Sequence, residues 1–213
     1  FKKVTLNLEE LRRIQENDPV LNVPYLDLSK YEKKKAIKKV DYFKIYEIKH
    51  KETNILYEAK ISTIKIAKLS KNDIIHLSRE TNILSQLNHP TYLKFIGYSP
   101  IDFNMRPMPV LVNEMPPNKS LNDLLNKERN KEHLNEWDET KRLICIFGIV
   151  AGMSFLHLHD IIHRNLSPES IFFDEHLFPK IGNFGLLTRI HTVETITYQS
   201  SVGVKGRPNY SAP

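Results

Sequence analysis

Polar and apolar positions along this 213-residue chain change period several times, and each change marks an element. Leu8, Leu11 and Ile14 lie at helical spacing behind Asn7-Leu-Glu-Glu10, which has the form of a capping box. A short helix is therefore predicted over 7–17. Asp18-Pro19 ends it, and Pro24 keeps the following stretch extended. From Tyr31 the helical period is lost. Ile45, Tyr46 and Ile48 mark one strand and 55–64 another, with Lys51-Glu-Thr-Asn54 as the turn, where Asn suits a left-handed position. Ser70 opens a helix bearing Ile74, Ile75, Leu77, Ile83, Leu84 and Leu87, which stops at His89-Pro90. Strands are expected at 92–98 and 110–114. Beyond Pro117 come a short helix from Ser120, a long one over about 138–158, and strand pieces at 171–173 and 180–181.

A small sheet with one helix thus precedes a mostly helical half, and the two meet near Met115-Pro-Pro117. The class is α+β, and a boundary between lobes is the default place for a ligand. Composition changes this picture at one point. The chain has 7 glycines, none before Gly97, so no glycine-rich nucleotide loop of the usual kinds exists in the first half.

Charge and cysteine usage narrow the class further. The net charge of +6 is spread as lysines mixed with acids, such as Lys33 to Lys35 beside Glu32, which reads as a solvated face and not a nucleic-acid footprint. A single cysteine, Cys145, fits a reducing, cytoplasmic setting and an inert core position. The apolar run 144–156 is too short to span a bilayer and reads as a buried helix. The chain opens with charge, without a signal peptide, and its ends at Phe1 and Pro213 read as cuts through a longer protein.

Three strings in one order carry a resemblance: His163-Arg-Asn-Leu-Ser-Pro-Glu-Ser170, Lys180-Ile-Gly-Asn-Phe-Gly185 and Gly206-Arg-Pro-Asn-Tyr-Ser-Ala-Pro213. They resemble the catalytic loop, metal motif and A-P-E approach of protein kinases, of serine/threonine type and in the style of the tyrosine-kinase-like group. The resemblance implies a bilobal fold: an extension over 1–29, an N-lobe over 30–115, and a partial C-lobe over 116–213. It implies ATP-site positions at Lys60, Glu80, Glu114 and Met115. It also implies a hydrophobic column of His163, Phe184, Leu84 and Phe95, and a phosphate-reading Arg164 facing the hydroxyls of 192–201.

Set against what phosphoryl transfer needs, the matching positions depart from the family. Asn165 stands where the loop aspartate accepts the substrate proton, and Ser167 where a lysine neutralises phosphate. The metal positions hold Ser170 and Asn183, neutral where Mg²⁺ favours carboxylate. Lys38, Val40 and Phe43 fill the three glycine positions of the phosphate roof. Glu58 replaces the small residue above adenine and is placed to pair with Lys60, two residues on along a strand. Phe172 stands at the floor of that pocket. Asp174, in a turn, is not promoted to a metal ligand, and His157, His159 and His163 do not make a zinc site.

These departures favour an impaired kinase fold that scaffolds or regulates a protein partner, either an active kinase or an upstream segment of the same chain. No nucleic acid, membrane span or cofactor is expected. The alternatives are a divergent serine/threonine kinase using ATP and Mg²⁺, a nucleotide transferase, and a domain that binds nucleotide without catalysis.

Overall fold

Asn54 takes a φ of 61°, the left-handed conformation its turn requires, and joins two long strands. In the computed structural model these are β2 (Phe43–His50) and β3 (Leu56–Ser62), preceded by β1 (Tyr31–Val40). The structure describes residues 23, 25–40, 42–116, 119–132, 137–184 and 188–189. The helix expected over 7–17, Pro117, Gly185, the hydroxyls of 192–201 and Gly206 to Pro213 lie outside the described residues.

The chain divides into two units, one of residues 1–86 and 94–115, the other of 87–93 and 116–213. In the first, β4 (Phe95–Ser99) and β5 (Val110–Glu114) complete an antiparallel sheet of order β1-β2-β3-β5-β4. Its rows alternate in facing, as the two-residue period of strands demands. Tyr46, Ala59 and Val112 form one row; Ile45, Lys60 and Leu111 form the next. Each face has a core. Ile48, Ala59, Ile61, Val110 and Val112 pack with Leu28 and Tyr31 on one side. On the other, Phe43, Tyr98 and Leu111 pack with Leu69 and with Leu77 of α1 (Lys71–Gln86). Ser70 caps that helix: its Oγ accepts from the Asp73 N–H at 3.1 Å and donates to the Asp73 carboxylate at 2.6 Å.

In the second unit Ser120 and Asp123 form the capping box that starts α2 (Leu121–Arg129), and Asp138 caps α3 (Glu139–Leu158). β7 (Ile171–Phe173) and β8 (Pro179–Ile181) make a hairpin, and the two-residue strands β6 (Ile161–Ile162) and β9 (Thr188–Arg189) pair beside it in sequence. Gly148 and Gly152 let α3 lie against β8. A Cβ at Gly148 would overlap the Pro179 ring, and one at Gly152 would meet Ile181 and Thr91 at 2.6 Å. Tyr92 donates its hydroxyl to the Gly152 carbonyl.

Three expectations are corrected. The strand expected at 92–98 is split, because Tyr92 bridges Ile181 in the second unit and only Phe95–Ser99 joins the sheet. The run 144–156 is not a buried helix: only Cys145, Gly152 and Leu156 are buried, while Ile146, Val150 and Phe147, the last 71% exposed, face away. One narrow stripe of small residues packs on β8, and the large apolar residues lie off it. Nor is the element too short for a bilayer, since the full 20-residue helix is long and apolar enough by length and composition.

Candidate functional site

Lys60 lies on β3 and Glu80 on α1, and their side chains meet at 2.9 Å between Nζ and Oε1. Only 17% and 12% of the two side chains are exposed, so this is no solvated surface pair. The pairing of Glu58 with Lys60 is corrected. Lys60 is taken by Glu80, and no ion pair to Glu58 is found among the described residues. Glu58 faces Glu47 directly across β2–β3, a like-charge juxtaposition. Loss of water raises its carboxyl above the usual range, against the weaker pull of Lys38 and Lys60.

This makes Glu58 a group that costs stability when charged. A carboxyl raised in the folded state stabilises fully below its unfolded value, near 4.5, and loses that contribution as pH rises through the folded value. Glu58→Gln is therefore expected to stabilise the chain at pH 7.5. The gain should fade as pH falls toward 4.5, read from urea midpoints across the range; a gain independent of pH would contradict the assignment.

Lys38 pairs with Ile45 across the β1–β2 hairpin, and Val40 with Phe43. Phe43 turns its ring inward and does not project into solvent. It is 6% exposed, folded into the core with Leu77 and Leu111, and its ring centroid is 4.7 Å from Lys60 Nζ. At the end of β5, Glu114 is tied to Lys94 twice: its N–H donates to the Lys94 carbonyl at 2.7 Å, and its carboxylate accepts the Lys94 N–H at 3.0 Å. Met115 follows, half-buried.

The second unit gathers the other positions around one loop. His163 is fully buried, and burial lowers its imidazole to about 4 despite the opposing pull of its bond to Gly182. Its Nδ1 accepts the Asn165 N–H at 3.2 Å, and its Nε2 lies 3.1 Å from the Gly182 carbonyl, which only accepts. The neutral Nε2–H tautomer satisfies both. Arg164 between them takes a φ of 59°, uncommon for a long side chain. Asn165 donates its amide to the Asn183 carbonyl at 3.4 Å, and Asn183 donates to the Glu169 carbonyl at 2.8 Å.

Ser170 is fully buried. Its Oγ accepts the Ser167 N–H at 2.9 Å and donates to the Ser167 carbonyl at 2.8 Å. Ser167 is itself buried, at the start of a short helical turn. Phe172, half-buried on β7, lies against Gly182, where a Cβ would come within 3.1 Å of its ring. Asp174 accepts the N–H groups of His176 and Phe178 at 2.9 Å, which shapes the β7–β8 turn. Of the column residues, the His163 and Phe184 rings meet at 5.4 Å with their planes tilted by 58° in this unit; Leu84 is buried and Phe95 packs on the core of the other. The Cys145 thiol, buried on α3, is pushed up to about 11 and stays protonated.

The protein kinase domain family matches residues 31–213. The chain belongs to the protein kinase family. It is 30% identical over 186 residues to the serine/threonine-protein kinase polo of Drosophila melanogaster, covering 86% of this chain and 29% of polo. It is 32% identical over 159 residues to the probable serine/threonine-protein kinase drkC of Dictyostelium discoideum, covering 72% of this chain and 20% of drkC. Cysteine-rich receptor-like protein kinase 1 of Arabidopsis thaliana is 34% identical over 137 residues, covering 63% of this chain and 21% of that protein. The chain thus spans less than a third of the length of these relatives.

Kinases of this family use ATP with Mg²⁺ held by an Asp and an Asn. The residues here do not fit that ion. Ser170 offers one neutral oxygen already engaged twice within its own loop, and Asn183 a neutral amide tied to Glu169. In the first unit the Lys60 ammonium has its ion pair to Glu80 and lies 4.7 Å from the centroid of the Phe43 ring.

The sequence did not reveal the closure of Ser170 on Ser167, or the seat of Phe43 on Lys60. The first had a signal, serines three apart around Pro168. The second had only the aromatic pair Tyr42-Phe43, which gives no direction.

Proposed function

We propose that this chain is a kinase fold with impaired phosphotransfer that acts by binding a protein partner, as a scaffold or allosteric regulator in phosphorylation signalling. The observation that carries the reading is Ser170: at the position expected to ligate metal, a fully buried hydroxyl is closed onto its own turn. Asn165 supports it, because a neutral amide cannot take the substrate proton, and losing a general base costs about 10²–10⁴ in rate. Serine/threonine character follows the relatives' names; the tyrosine-kinase-like grouping and a cytoplasmic setting are part of the same proposal.

The test is incorporation of labelled phosphate from ATP with Mg²⁺ into a general protein substrate, beside Lys60→Met, together with melting curves in ATP with and without chelator. The expected result is incorporation no greater than that of Lys60→Met and no nucleotide-dependent shift. Robust incorporation abolished by Lys60→Met would overturn the proposal. One observation favours the alternative of an active divergent serine/threonine kinase: the Lys60–Glu80 pair is formed. That reading needs a carboxylate for metal, so Glu58→Gln or Asp174→Asn would then abolish transfer.

A further inference from the structure

The geometry points to Phe43 as a built-in cover on the Lys60 ammonium, a side chain that keeps polyphosphate off this lysine. The inference rests on the reading of an impaired nucleotide site and names the residue responsible on its phosphate side.

The sheet register explains how the cover is built. Phe43 pairs with Ser62 across β2–β3, and Lys60 lies two residues before Ser62 on the same strand and face. A side chain at position 43 therefore reaches along the row toward the ammonium, whereas a glycine, the family's residue there, reaches nothing. The ring centroid stands 4.7 Å from Nζ, at cation–π distance. Tyr42 flanks the Phe43 ring, with centroids 4.6 Å apart, and Leu69, Leu77, Tyr98 and Leu111 hold it from behind. Glu80 takes one of the three donors at 2.9 Å. A lysine ammonium can serve an anion only through donors that remain open. Here one donor points at a carboxylate, and a π-face lies where a phosphate oxygen would have to come.

A plain core role for Phe43 predicts something different. Packing alone would be served by any large apolar side chain and would leave the reactivity of Lys60 unchanged. The cover predicts that ring removal exposes one particular amine.

The test uses the full chain and two probes that involve neither adenine nor metal. The first is acetylation by a small N-hydroxysuccinimide ester, with the rate at Lys60 read by peptide mass spectrometry against Lys35, which is 74% exposed. The second is calorimetric binding of inorganic tripolyphosphate, taken as the difference that Lys60→Met makes, so that the surface lysines cancel. In the wild type Lys60 should label slowly and the difference in binding should be nil. In Phe43→Ala, Lys60 labelling should rise about tenfold, the order that a desolvated cation–π contact represents, and a Lys60-dependent tripolyphosphate site should appear. Phe43→Leu keeps the core filled if Phe43→Ala does not fold, and should raise labelling by a smaller factor.

Unchanged Lys60 labelling in the folded variants overturns the inference. So does labelling that rises without any Lys60-dependent tripolyphosphate binding, and so does such binding by the wild type. Failure of the broader reading would show elsewhere, as Mg²⁺-dependent phosphotransfer by the wild type, which neither probe measures.

Discussion

Lys60→Met is expected to destabilise the first unit by about 2–4 kcal/mol with no ligand present, read as a fall in the urea midpoint at constant slope. Removing one partner of a fully buried ion pair costs about 3–5 kcal/mol, because the other charge is left in a medium that cannot solvate it. The range is lowered here because the two side chains keep 17% and 12% of their exposure. Methionine also ends the cation–π contact with Phe43. The double variant Lys60→Met, Glu80→Leu should recover much of the loss, since it leaves no orphan carboxylate on α1. A midpoint change worth less than about 1 kcal/mol would class the pair with ordinary surface bridges and remove its structural role. The result bears on function. A lysine kept only for transfer could be lost at little cost to folding, whereas one built into the core persists after the chemistry has gone.

Much of the fold was legible because local signals agreed with tertiary demands. Ser70, Ser120 and Asp138 each precede an apolar period and each caps a helix at that point. Asn54 sits in its turn for the reason its side chain suggests. The long strand β1 was not legible, because Lys33, Lys34, Lys35, Lys38 and Lys39 crowd a sheet edge and break the alternation that marks a strand. The exposure of α3 was hidden for the opposite reason. Periodicity cannot separate a helix buried all round from one that packs only its small-residue stripe.

The site divides along the same line. Residue type alone showed that Asn165, Ser167, Ser170 and Asn183 lack the charges of the chemistry. Which partner Lys60 takes could not be read from the chain, since Glu58 and Glu80 are both plausible in sequence and only the placement of α1 selects Glu80.

Acid is expected to destabilise the second unit through His163 by about 3 kcal/mol between pH 6.5 and about 4, beyond what its remaining groups contribute. Burial holds the folded imidazole near 4 while the unfolded chain titrates near 6.5, so between these values the unfolded state binds the extra proton. Stability is whole above 6.5, falls as pH drops through the window, and the loss is complete below about 4. The hydrogen bonds give the same sign independently. Nδ1 accepts from the Asn165 N–H and Nε2 donates to the Gly182 carbonyl, so a second proton would set two N–H groups against each other. Relief requires the loop to move at Arg164, already at a φ of 59°, and movement there carries Asn165 away from Asn183. His163→Gln, which keeps a donor for Gly182 and does not titrate, should have the lower midpoint at pH 7 and a flatter acid limb. Two acid limbs of equal slope would mean that His163 is charged in the folded state, and the neutral, doubly bonded imidazole would have to be abandoned.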